Sequence, residues 1–279
     1  MPEDVEVSGE ALAESLTAVA DVQPLIQELT NEVTMNDVAN VTLYWGGLPV
    51  MSDEPGDAPE MVELAGGVLI NTGRMSATNV EASHQAGERA NDLGVPVVLD
   101  PVGAGATPTR REIAEDLLSS VHFAAIKGNY GEISTLAGVE AEVKGVESVG
   151  EYETIAETAS SLAESTGSVV VASGVEDVVA DPETGTTYEV AAGHELMGSV
   201  VGTGCMLGAT IAAFCASVDD PFSACLHGTL AFGVAGERAA ELPRNGPASY
   251  RINFLDAVAS LDAEDVVDSS YEDRVNRVD

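Results

Sequence analysis

Between Gly198 and Cys205 a glycine-rich turn, with Gly202, Thr203 and Gly204 at its end, runs straight into an apolar helical stretch at 206–214. Small residues there let main-chain N–H groups face outward at the first turn of the helix. Those N–H groups lack intrahelical partners, and the helix dipole favours negative charge beside them, so the turn suits an anion such as phosphate. Cys205 stands at its mouth. Three further positions could serve the same chemistry. Asp100 closes an apolar run and is placed either to hold Mg²⁺, which prefers one or two carboxylates plus phosphate oxygens, or simply to cap the next helix. Lys127 and Glu132 lie within six positions of each other; Lys127 could counter a phosphate and Glu132 complete a metal shell. A Glu in a first helical turn is also favoured for dipole reasons alone. Ser173 ends another apolar run, where a hydroxyl meets a phosphate or merely faces a loop.

The elements that must position these residues alternate along the chain. Apolar runs at 67–73, 95–100, 123–128 and 168–173 suit strands buried on both faces of a parallel sheet. Helical spacing falls between them, at 76–93, 111–118 and 152–164. Before them, a helix at 10–20 with Ser8 as its cap precedes a strand at 24–31. A helix at 35–44 then stops at Gly46-Gly47, ahead of a short strand at 48–51 and a helix at 60–64. A hairpin is expected at 178–180 and 187–190 around the 181–185 turn, and helices at 204–216, 221–241 and 254–263 finish the chain. The pattern predicts one α/β domain over residues 1–279: a doubly wound, mostly parallel sheet flanked by helices, with residues 1–7 flexible. Ligands in such sheets collect at the carboxyl ends of strands, which is where Asp100, Lys127 and Ser173 fall.

Composition narrows the function classes. The chain has 47 acidic and 11 basic residues, a net charge of −36, and only Lys127 and Lys144 as lysines. Acid spread so evenly repels nucleic acid and anionic membranes, and molar salt would screen its self-repulsion; a cytoplasmic protein of a salt-loving organism is expected. Cys205, Cys215 and Cys225 form no CxxC pair, and an odd count suits a reducing compartment. Cys215 and Cys225 are expected as buried structural thiols. No signal-like N-terminus and no apolar run of ~18–20 residues is present. The four histidines share no metal spacing. GxxxxGK[ST] is absent, and the 202–208 glycines are spaced one residue too long for a dinucleotide fingerprint.

Taken in order, these segments resemble the hydroxyethylthiazole kinase family of the ribokinase-like group over residues 24–260. The matching residues begin with Leu29-Thr30-Asn31, Ala39-Asn40, Gly47 to Met51 and Leu69 to Gly73. They continue through Leu99 to Thr107, Lys127-Gly128-Asn129 with Glu132-Ile133, and Val201 to Cys205. Ala235 to Arg238, Gly246 to Tyr250 and Phe254 to Asp256 complete the set. The resemblance implies ATP-dependent phosphorylation of the hydroxyl of 4-methyl-5-(2-hydroxyethyl)thiazole in thiamine biosynthesis. By position it implies Met51 and Gly202 on the thiazole, with Asn31 and Gly73 nearby, and Lys127 and Ser173 on ATP phosphates. Gly204 and Thr203 would hold the transferring phosphoryl group, Asp100 and Glu132 would serve Mg²⁺, and Cys205 would stand beside the attacking hydroxyl. It further implies a homotrimer with active sites at subunit interfaces. At a helix N-terminus the Cys205 thiol is expected to have a lowered pKa, fit either to accept the hydroxyl proton or to orient the hydroxyl.

Three positions depart from the family pattern. Lys127 stands where Arg is common, and an ammonium lacks the guanidinium's two-pronged grip on phosphate. Ser173 replaces Thr. Gln27 and Glu28 stand where a His usually precedes the Thr-Asn pair. Two other readings keep to these residues: a ribokinase-like kinase for another small alcohol such as a hydroxymethylpyrimidine, or a nucleotide-binding regulator without catalysis.

Overall fold

The computed structural model describes residues 7–139 and 155–278. The start of the helix expected at 152–164, Lys144 and residues 1–6 lie outside them. Ser8 caps α1 (Gly9–Val22) as expected, accepting from the Ala11 N–H at 3.1 Å. Then β1 (Leu25–Leu29), α2 (Met35–Tyr44), β2 (Leu48–Val50) and α3 (Asp57–Val62) lead to β3 (Gly67–Asn71) and α4 (Ala77–Leu93). The alternation continues through β4 (Val97–Asp100), α5 (Pro108–Ser120), β5 (Ala125–Asn129), α6 (Tyr130–Leu136), α7 (Ile155–Thr166) and β6 (Val169–Ser173).

Described strands form one sheet in the order β2-β1-β3-β4-β5-β6, all parallel, extended by the antiparallel β7 (Asp177–Ala180), β8 (Thr187–Val190) and β9 (Val275–Arg277). Because side chains alternate across a strand, each central strand feeds both faces. Val169 and Val171 of β6 join the core on one face, while Val170 and Ala172 join the core on the other. This is the doubly wound, mostly parallel sheet that the sequence predicts.

Over the first face lies α8 (Thr203–Cys215), buried at every position from Cys205 to Phe214. It packs on β3 and β4 beneath α2 and α9 (Pro221–Glu241). A helix apolar on all sides belongs in a core rather than at a surface. Its N-terminus is thereby fixed at the carboxyl ends of the central strands.

The last third departs from expectation in two ways. The helix expected at 254–263 is two: α10 (Pro247–Ser260), which begins a full two turns earlier with Pro247 in its first turn, and α11 (Ala263–Val266). The chain also returns to the sheet as β9, pairing Val275 with Val190 on the antiparallel edge, instead of ending in helices. No described helix is long and apolar enough to cross a membrane.

Candidate active site

The parallel strands end side by side, and their carboxyl ends open into one cavity of about 350 Å³. Asn31 follows β1, Gly73 follows β3, Asp100 ends β4, Lys127 lies in β5 and Ser173 ends β6; all line it. Across from them, Gly202, Gly204 and Cys205 line it from the start of α8, and Glu132 from α6. Asp100 and Cys205, from strand and helix, thus face a common space.

The turn into α8 has the build that the sequence suggests. Gly202 is its N-cap with φ +98°, a conformation that suits glycine, and a Cβ there would stand 2.9 Å from Thr34 Cγ2. No side chain caps the helix, so the first-turn N–H groups stay available. Thr203 is the exception to its expected place. Its hydroxyl turns back to donate to the Met197 and Val200 carbonyls at 3.1 and 3.2 Å, so only its N–H is left for a ligand.

Charge concentrates over β4 and β5. Lys127 is 3% exposed, with Nζ 3.5 Å from Asp100 Oδ1 and about the same closeness to the first turn of α8: a Cβ at Gly204 would lie 3.1 Å from it. Burial works against the ammonium, but Asp100, Glu132, Cys205 and Asp177 together carry its pKa above the ordinary value. Burial, opposed by Lys127 and aided by Glu132, pushes Asp100 up to about 6. Asp100 Oδ2 accepts from Asn71 Nδ2 at 2.6 Å, whereas the buried Oδ1 accepts no hydrogen bond. That oxygen faces the Lys127 ammonium, so a cation bound there would share it with Lys127. Both Glu132 oxygens, by contrast, accept from main-chain N–H groups, Gly103 at 2.7 Å and Asn129 at 2.8 Å. Glu132 and Asn129 form a capping box for α6. Glu132 therefore clamps two strand-end turns together, and Asp100 carries the open coordination position.

Over β1 and β3 the groups are neutral. Asn31 Oδ1 accepts from the Val33 and Thr34 N–H groups, which turns its Nδ2 toward Thr34 Oγ1, Asn71 Oδ1 and, at 3.7 Å, Cys205 Sγ. Asn71 Nδ2 lies 3.3 Å from the same sulfur. Gly73 is needed here for space, since a Cβ would come within 2.8 Å of Asn31 Nδ2. The expectation of a lowered Cys205 pKa is overturned: burial first, then the Asp100 carboxylate, push the thiol above its ordinary value despite Thr34, Lys127 and Asn71 acting the other way. The helix dipole is real but local, and desolvation outweighs it.

Met51 does not line this cavity. It follows β2, the edge strand beyond β1, and is half-buried. Thr34, Val33, Val102, Asn129 and Val201 do line it and were not anticipated. Thr34 was findable as a hydroxyl three residues after a strand-end Asn; Val33 and Val201, 75% and 73% exposed, carry no signal but their exposure. Gln27 and Glu28 are both buried. Gln27 Nε2 donates to the Ser52 and Ala58 carbonyls, and Glu28 Oε1 accepts from Thr42 at 2.6 Å.

A family model described as Hydroxyethylthiazole kinase family matches residues 16–264. A hydroxyethylthiazole kinase of Natronomonas pharaonis is 52% identical over 255 residues, covering 90% of this chain and 91% of that protein. One of Haloquadratum walsbyi is 49% identical, covering 98% and 96%. Both relatives come from halophilic archaea, in keeping with the acidic composition. Among solved structures, hydroxyethylthiazole kinase protein from Pyrococcus horikoshii superposes with a TM-score of 0.86 at 35% identity, covering 96% of this chain and 99% of that one. A ribokinase-like superfamily protein from Enterococcus faecalis, at 12% identity and a TM-score of 0.64, shares the fold. With strand-end residues, helix turn and whole-length similarity in agreement, the chain belongs to the hydroxyethylthiazole kinase family.

Proposed function

We propose that the protein phosphorylates the hydroxyl of 4-methyl-5-(2-hydroxyethyl)thiazole with ATP, the whole chain acting as one kinase unit in thiamine biosynthesis. A single observation carries the reading: a buried carboxylate oxygen without a hydrogen bond, a buried ammonium and the uncapped start of a helix converge on one cavity beside a thiol.

Strand order supports the following arrangement of the reactants. The thiazole alcohol takes the neutral end over β1 and β3, with Asn31, Gly73, Gly202 and Cys205 around it. The nucleotide phosphates take the charged end over β5 and β6, with Lys127 and Ser173. Asp100, on β4 between them, faces the junction. The transferring phosphoryl group rests on the Thr203, Gly204 and Cys205 N–H groups, which stabilise charge on its oxygens as the bond to ADP loosens. Mg²⁺, when bound, would neutralise phosphate charge, and Asp100, with Glu132 beside it in the cavity, would hold it. Phosphoryl transfer through a loose transition state needs positioning more than a strong base. Cys205, held as a neutral thiol by burial, accordingly orients the attacking hydroxyl rather than deprotonating it in advance.

Met51 joins a site only if β2 of one copy borders the cleft of another. A homotrimer with active sites between subunits would bring this about, and the exposed Leu48 of β2 and Leu43 of α2, at 49% and 51%, offer apolar surface for a contact between copies. The protein is proposed to work in the cytoplasm, without nucleic acid or membrane partners.

The test is one assay of purified protein with ATP, Mg²⁺ and the thiazole alcohol in concentrated KCl, following the phosphate ester directly. Ester formation matched by ADP supports the reading. Preference for a hydroxymethylpyrimidine, or ATP bound without turnover of any alcohol, contradicts it.

A further inference from the structure

Asn71 lies at the junction between the neutral and charged ends, 1% exposed at the end of β3. Its orientation is not free. The Gly73 main-chain N–H donates to Oδ1 at 3.0 Å, and because an N–H can only donate, the atom facing it must be the oxygen. Asn31 Nδ2 donates to the same oxygen, also at 3.0 Å. Fixing Oδ1 forces Nδ2 the other way, where it meets Asp100 Oδ2 at 2.6 Å and Cys205 Sγ at 3.3 Å. One amide nitrogen thus ties a β4 carboxylate to an α8 thiol.

We infer that Asn71 is the positioning residue that holds Asp100 and Cys205 in one fixed register across the cleft. By binding Oδ2 it decides which Asp100 oxygen is turned to Lys127, since Oδ1 lies 3.5 Å from Nζ and accepts no hydrogen bond. By donating to Sγ it holds the thiol facing the cavity. The position calls for a neutral group that accepts twice and donates twice, which an amide does and a carboxylate or hydroxyl does not. An Asp at this place would share one proton with Asp100 Oδ2 and leave only an acceptor facing the sulfur. The inference rests on the kinase reading for its catalytic consequence, and on geometry alone for the link itself.

The two are tested by separate readouts on the full chain. Without ATP or Mg²⁺, at one fixed pH, iodoacetamide should alkylate Cys205 at least about 3-fold more slowly in Asn71→Asp than in the wild type, because the isosteric change removes the donor that favours the thiolate. Equal rates would overturn the inference whether or not the protein turns over any alcohol. Under turnover, Asn71→Ala should lower kcat about 100-fold while both KM values stay within about 3-fold. Against Cys205→Ala, itself about 10-fold down, the added loss should shrink to about 10-fold, since part of what Asn71 positions is already gone. Multiplication of the two losses to about 1000-fold, or a loss confined to KM, would overturn the inference. Should Asn71→Ala fail to fold, Asn71→Asp keeps the volume and should be at least as slow; activity within about 3-fold of wild type would contradict the role. A wild type without turnover would sink the kinase reading alone.

Discussion

Over β1 and β3 the cleft floor is made of uncharged amides and hydroxyls that hydrogen-bond one another, Asn31 to Thr34 and Asn71. Over β4 and β5 it is made of a buried ion pair, Asp100 with Lys127, edged by Glu132 and Asp177. A neutral hydrogen bond contributes a net of about 1 kcal/mol, whereas leaving one member of a buried ion pair unpaired costs about 3–5 kcal/mol. The neutral end can therefore be altered with mainly geometric consequences. The charged end cannot lose a partner without disturbing the whole junction. The proposed function places an uncharged alcohol at the first end and polyphosphate with its counter-ion at the second.

Asp100→Asn breaks the contrast most severely. It should lower kcat by about 1000-fold or more, because the open oxygen for a cation and the partner of Lys127 vanish together, while calorimetry should show alcohol binding nearly intact. Lys127→Met should raise the KM for ATP by about 30-fold and, by leaving Asp100 buried without its partner, lower kcat as well, while the alcohol KM stays within about 3-fold. Comparable changes in both constants would mean the two ends are not separate. On the neutral side, Cys205→Ala should leave a folded enzyme with kcat about 10-fold down, and full activity in that variant would remove the thiol from the chemistry.

The smallest effect lies behind the neutral end. Burial, partly opposed by the Thr42 hydrogen bond, raises the Glu28 pKa from 4.5 to about 8. Between those values the unfolded chain gives up this proton and the folded one keeps it. The group's favourable contribution is then fully present below 4.5 and is lost as pH rises through about 8. Glu28→Gln mimics the protonated form, so its Tm advantage over the wild type should be small near pH 5 and grow by several degrees toward pH 8. A Tm difference independent of pH would place the ionised form in the fold.

Much of the charged end was legible because each residue closes or follows its own apolar run. Asp100 and Ser173 end their strands and Lys127 lies two residues before the end of β5, and parallel strands deliver residues near their carboxyl ends to one edge whatever the rest of the fold does. The helix turn at 202–204 was equally local. What stayed hidden depends on meetings between distant elements. The Asn71 link spans 29 positions to Asp100 and 134 to Cys205. The Cys205 pKa was misjudged because the dipole is written in the helix, while burial and Asp100 come from elsewhere in the fold. β9 escaped notice because Val275–Arg277 offers one buried residue and two exposed ones, too little pattern to distinguish from a tail. The start of α10 was missed although Gly246-Pro247 is a recognisable entry signal, because its apolar spacing is weak until Tyr250.

The division of the cleft is tested most directly by a crystal structure with the thiazole alcohol and a non-hydrolysable ATP analogue bound together. The terminal phosphate should lie within hydrogen-bonding distance of the Gly204 N–H and beside Lys127, with the alcohol's hydroxyl between it and Cys205 on the Asn31 side. A nucleotide seated over β1 and β3, or an alcohol held away from the start of α8, would contradict the account.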